Sequence, residues 1–66
     1  MRNSIKVARA EKNLTQENLA HEIGVSRQTI NSIEKGRYVP STILTLKLAK
    51  VFDKTVEELF QLDPED

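Results

Sequence analysis

The sequence has no cysteine and no tryptophan, one histidine, two glycines and two prolines in 66 residues. Without cysteine there is no disulfide to staple a small fold and no thiolate ligand set, and one histidine cannot build a structural zinc site by itself. The fold must be held by its own packing, in a chain that buries only about 60 % of its unfolded surface. No apolar run approaches the ~18 residues that span a bilayer. The opening Met1-Arg2-Asn3-Ser4-Ile5-Lys6 is not the apolar stretch of a signal peptide. One uncrosslinked domain over residues 1–66 is expected, in the cytoplasm, because further domains need roughly 100–200 residues each. Ten Lys/Arg and ten Asp/Glu cancel to a net charge of zero, which by itself gives no pull toward a polyanion.

That zero is the sum of two unlike halves. Residues 1–50 carry nine Lys/Arg against four Asp/Glu, and residues 51–66 carry Lys54 against six acids, so a +5 body precedes a −5 end. Two readings of the acidic tail, about residues 61–66, stand side by side. It keeps a small protein soluble, or it faces away from an anion held by the basic body.

The dominant period is helical, with strand signals nearly absent. A first helix is expected over about 3–13, with Ile5, Ala8 and the following Leu14 inward. Thr15 is placed to cap a second helix over about 16–23, where Leu19, Ala20 and Ile23 share a face and Glu17 complements the helix dipole. Gly24 suits a left-handed stop. Ser26 caps again two positions later, so two helices meet across a turn of about three residues at a steep angle. The third helix, about 27–35, buries Ile30 and Ile33 and ends at Gly36. Arg37-Tyr38-Val39-Pro40 reads as a loop, since a residue before proline avoids the helical region. Ser41 caps a fourth helix over about 42–52, with Leu44, Leu48, Val51 and Phe52 as its apolar stripe. Thr55 and Glu58 form a capping box for a fifth, about 56–60. Five short capped helices predict an all-α fold, with a small terminal strand near 59–62 as a variation.

With Ile30 and Ile33 turned inward, the third helix shows Arg27, Gln28, Thr29, Asn31, Ser32 and Lys35 outward. Arginine can pair with guanine, glutamine or asparagine with adenine, and a threonine methyl with that of thymine. They crowd the N-terminal part of the helix, where a helix laid in a major groove contacts bases. A solvated polar face is the plain alternative. The turn favours the first: a small Ala20 where helices touch, Gly24 in the turn, and Ile30 with Ile33 beneath the second helix are spaced as in a helix-turn-helix unit, about 16–35.

In LTQENLA, IGVSRQTINSIEKGRYVPS, LKLAKVF and VEELF the chain resembles the Cro/repressor-like helix-turn-helix proteins, the XRE family, over about residues 5–62. It looks most like that family's short stand-alone regulators, with a lambda-repressor-like DNA-binding domain. The resemblance implies that Arg27 and Gln28 touch base edges, with Ser32 as a further groove contact and Asn31 reaching bases or phosphate. It implies phosphate contacts from Gln16, which fits anion binding at a helix N-terminus, and from Thr29, Lys35, Arg37 and Tyr38. It also pairs Arg9 with Glu34 as a structural ion pair. Val7, Ala8 and Ala10 are smaller than the family's usual inward residues, Thr42 and Thr45 replace aliphatics, and Lys35 stands where an asparagine is common.

His21 has no companion ligand, and Ser26, Ser32 and Ser41 have no histidine base, so neither metal, cofactor nor enzyme chemistry is expected. No small-molecule pocket is evident. The expected function is a transcriptional regulator, a repressor in its simplest form, that binds a palindromic double-stranded DNA operator as a homodimer. An antitoxin-like module that neutralises a partner protein is the alternative. The dimer interface is expected at Leu59, Phe60 and Leu62 with part of the fourth helix, against the alternative that Phe60 and Leu62 cover their own core.

Overall fold

The computed structural model describes residues 1–66 and measures 32 × 22 × 20 Å. Its order is β1 (Arg2–Asn3), α1 (Ile5–Glu11), α2 (Gln16–Ile23), α3 (Arg27–Glu34), α4 (Thr42–Phe52), α5 (Val56–Leu59) and β2 (Phe60–Gln61). The five helices are those expected, and a two-stranded antiparallel sheet pairs Arg2 with Gln61 and Asn3 with Phe60.

Each helix from α2 onward begins at a hydroxyl. The side chains of Thr15, Ser26, Ser41 and Thr55 accept the backbone N–H three residues on, so an orphan donor is satisfied at every start. Thr15 and Asn18 close a reciprocal capping box, as do Thr55 and Glu58. The stops are equally local. Gly24 and Gly36 take positive φ, 75° and 73°, and Asn13 and Asp53 take φ 55° and 53°. After α1 the Leu14 N–H returns to the Arg9 carbonyl, and after α3 the Arg37 N–H returns to that of Ser32. These six-to-one bonds end a helix within one residue and turn the chain sharply.

Twelve apolar residues, from Ile5 to Phe60, form one buried cluster drawn from all five helices and β2. Ile5, Leu19, Ile30, Ile33, Leu48 and Leu59 are closed off from solvent, and Leu14, Val25, Ala49, Val51 and Val56 pack against the same cluster. The core therefore holds α3 by its two isoleucines, while Arg27, Gln28 and Lys35 stay exposed.

Three expectations are corrected. The first helix is shorter than 3–13. Asn3 lies in β1 instead, where its Oδ1 accepts the Ile5 N–H, its Nδ2 donates to the Ile33 carbonyl, and the Ser4 N–H donates to the Leu59 carbonyl. The third and fifth helices each stop one residue early, at Glu34 and Leu59. Leu59 and Phe60 belong to the chain's own core, at 0 % and 8 % exposure, so of the three residues expected at a dimer surface only Leu62, at 72 %, is available.

That assignment separates two neighbouring substitutions. Phe60→Ala is expected to cost about 3–5 kcal/mol in urea unfolding, and Leu62→Ala less than about 0.5 kcal/mol. Since a core this small supplies about 3–5 kcal/mol, the Phe60 variant should be largely unfolded without denaturant. Equal costs would place Phe60 at the surface.

Candidate nucleic-acid interface

The turn Gly24-Val25-Ser26 sets α3 across α2, with Ala20 buried where the helices meet and Val25 tucked against the core. Ser26 fixes the start of α3 twice, accepting the Thr29 N–H at 3.1 Å and sharing a 2.9 Å hydroxyl contact with Thr29. From there, residues three and four apart share a face. Arg27, Asn31 and Glu34 follow one row of the helix, which is exposed at Arg27 and closes inward at Glu34, and Gln28, Ser32 and Lys35 follow the next.

The two edges open onto different surroundings. Gln28 and Ser32 line an open recess of about 300 Å³ together with Ser26, Thr29, Arg37 and Tyr38. Arg27 instead borders a recess shared with Glu17, Ala20, His21 and Val25 of α2 and its turn. Gln28 and Ser32, expected at bases, thus share a recess with Thr29, Arg37 and Tyr38, expected at phosphates, while Arg27 is offset toward α2 and Gln16, Asn31 and Lys35 lie outside both recesses. No trio of His, Asp or Glu side chains is arranged to hold a metal ion.

Asn31 is bound inward. Arg9 grips Glu34 with two hydrogen bonds, Nε to Oε2 at 2.6 Å and Nη2 to Oε1 at 3.1 Å, and its Nη1 donates to the Leu14 carbonyl at 2.8 Å. The side chains of Arg9 and Glu34 are 14 % and 6 % exposed. Hydrogen bonding to Glu34 outweighs the burial that opposes it and lifts the Arg9 guanidinium above its already high pKa, so the charge is present at every working pH. Gln16 joins the same cluster: its Nε2 donates to Glu34 Oε1 at 3.1 Å and to Asn31 Oδ1 at 3.2 Å. Both N–H groups of that amide are spent inside the chain, so the phosphate contact expected of the Gln16 side chain has no donor left in this conformation. The unpaired backbone N–H groups of the first turn of α2 remain as the anion-binding element there. The link from Gln16 to Asn31 and Glu34 had no signal in the sequence, because it joins residues fifteen and eighteen apart.

Arg27, Lys35 and Arg37, around α3, take part in no ion pair, and neither do Lys6, Lys12, Lys47 and Lys50 on α1 and α4 or beside them. The acidic tail is folded onto the N-terminus: Asp63 and Asp66 each lie 2.9 Å from the Met1 ammonium, and Asp63 also meets Arg2. Its bond to Asp66, then that to Asp63, raises the Met1 ammonium pKa, and the Asp63 N–H followed by that ammonium lowers the Asp66 carboxyl. Because the Met1 carbonyl sits beside Gly36, just past α3, part of the tail's charge is neutralised close to that helix rather than simply pointing away from it.

The chain was compared with known proteins. A family model described as Helix-turn-helix matches residues 5–59. An uncharacterized HTH-type transcriptional regulator of Methanocaldococcus jannaschii is 55 % identical over 91 % of this chain and 91 % of its own length. Another, from Bacillus subtilis, is 46 % identical over 100 % of both chains. Among solved structures, the restriction-modification controller protein C.AhdI from Aeromonas hydrophila superposes with a TM-score of 0.76 at 36 % identity, covering 85 % of each chain.

The cluster around Glu34 predicts a stability effect. Arg9→Met leaves a nearly buried carboxylate with Gln16 as its only side-chain donor, and should cost about 3–5 kcal/mol in urea unfolding. A loss under about 1 kcal/mol would class the pair with exposed ones.

Proposed function

The chain belongs to the helix-turn-helix family of transcriptional regulators, its DNA-binding domain spanning most of its length, and from that premise we propose that it is a sequence-specific repressor that binds a palindromic operator as a homodimer. Residues 1–66 act as one domain in the cytoplasm, with 16–35 as the reading unit. The observation that carries this reading is the outward face of α3. It rests on a packed pair of isoleucines, bears base-reading side chains, and is surrounded by cations without carboxylate partners.

In this reading α3 lies in the major groove, with Arg27, Gln28, Asn31 and Ser32 at base edges. Thr29, Lys35, Arg37 and Tyr38, with the backbone at the start of α2, hold phosphates and fix the register. Repression follows by occupancy, since a protein seated on an operator blocks the polymerase from it. A single α3 reads too few base pairs to stand out among a genome's competing sites, and a symmetric pair doubles the contacts at half-sites about 34 Å apart. For the dimer surface, Ile43 and Leu46 are three apart on α4, 70 % and 57 % exposed, and outside the chain's own core. They replace Leu59 and Phe60 in that role, beside Leu62.

Selection from a random duplex library tests the reading. A palindromic motif is expected. Gln28→Ala should alter one base preference at a cost of about 1–3 kcal/mol. Lys35→Ala or Arg37→Ala should weaken all duplexes alike and lower the salt slope by about one. A single half-site without symmetry would overturn the dimer, and no enriched motif would overturn sequence-specific binding.

A further inference from the structure

We propose that Gln16 is a positioning residue that sets the hydrogen-bonding polarity of Asn31, so that Asn31 offers N–H groups and withholds its carbonyl from the groove. This rests on the reading of α3 as the helix that enters the groove and deepens it to one base pair.

The chain of constraint begins at Arg9. Its guanidinium only donates, and it holds both oxygens of Glu34 in one orientation. A carboxylate only accepts, so the Gln16 atom 3.1 Å from Glu34 Oε1 must be Nε2. An amide nitrogen only donates, so the Asn31 atom 3.2 Å from that Nε2 must be Oδ1. Asn31 Nδ2 is thereby directed away from the cluster. It makes no hydrogen bond within the chain, and it is not buried. Three side chains, Arg9, Glu34 and Gln16, one from each of three helices, thus fix the orientation of the Asn31 amide, which would otherwise rotate between two nearly equivalent states.

The consequence is a change in what Asn31 reads. A free asparagine pairs with adenine through both of its ends, giving to N7 and taking from the N6 amino group. With Oδ1 turned toward Gln16, the accepting half of that pairing is withdrawn. The two N–H groups of Nδ2 match an edge of two acceptors, which guanine presents as O6 and N7, whereas adenine N7 and thymine O4 offer one each. Cytosine, which presents an amino group, is disfavoured. Gln16 therefore governs specificity from beneath the helix without touching a base.

Two measurements test this. In the free, unmodified chain, hydrogen exchange of side-chain amides by NMR should find the Gln16 Nε2 protons retarded and the Asn31 Nδ2 protons exchanging at the rate of an open amide. Retarded Asn31 protons beside open Gln16 protons would overturn the proposal. In random-duplex selection, the base whose preference Asn31→Ala abolishes should be guanine, favoured about tenfold over adenine and cytosine. Gln16→Met should raise adenine to parity there, and Asn31→Asp should reverse the preference toward the amino-bearing bases. Adenine preference in the unmodified chain, or a preference unmoved by Gln16→Met, would overturn the polarity relay while leaving the groove-reading role of α3 in place. A motif unchanged by Asn31→Ala would remove Asn31 from the reading set and the relay with it. No motif at all would overturn the proposed function itself.

Discussion

The Arg9–Glu34 pair is the contact on which the arrangement of the other parts depends. Its two hydrogen bonds tie α1 to the last residue of α3, and the third donor of the same guanidinium holds the Leu14 carbonyl between α1 and α2. One side chain thus fixes three segments. A planar donor with a fixed fork suits this task, because each bond constrains the direction of the others. Burial makes the pair costly to form alone, and the added donor from Gln16 helps to satisfy Glu34's remaining lone pairs. The core under α3 supplies affinity for the rest of the chain without direction, through Ile30 and Ile33. The polar cluster supplies the direction.

The balance of charge differs from one part of the domain to another. Its zero net charge conceals a basic body whose cations near α3 are left without partners. The acids at the end of the chain are partly consumed by the Met1 ammonium and Arg2. Attraction to a duplex therefore depends on where the charges lie, and a neutral total is compatible with strong local steering. The same neutralisation explains how a tail rich in acid can rest near the end of α3 without repelling an anion from it.

What was legible in the sequence was local. A hydroxyl three residues ahead of a helix's first satisfied donor, or a glycine at the end, is decided within a few residues, and the helices of Thr15, Ser26, Ser41 and Thr55 start where those residues place them. Asn13 follows α1 in the same left-handed geometry as the glycines but carries a weaker signal, so the expected end at 13 lies two residues past Glu11, whereas α4 ends at Phe52 as expected. What was not legible depended on distant partners. Arg2 and Asn3 have no strand pattern, and they form one because Phe60 and Gln61 lie beside them. Apolar content at Leu59 and Phe60 looks the same whether it faces a partner or the core, and only the docking of α5 decides. Gln16 is readable as the first residue of a helix, but its attachment to Asn31 is a fact of the crossing between α2 and α3.

In the proposed function α3, supported by the start of α2 and the loop after Gly36, is the surface that meets duplex DNA. Titration of the isotope-labelled chain with a short duplex, followed through its backbone amide signals, tests this most directly. Shifts concentrated at residues 15–18 and 26–38, weakening as salt is raised, are expected. Shifts confined to α4 and α5, with α3 unmoved, would contradict it.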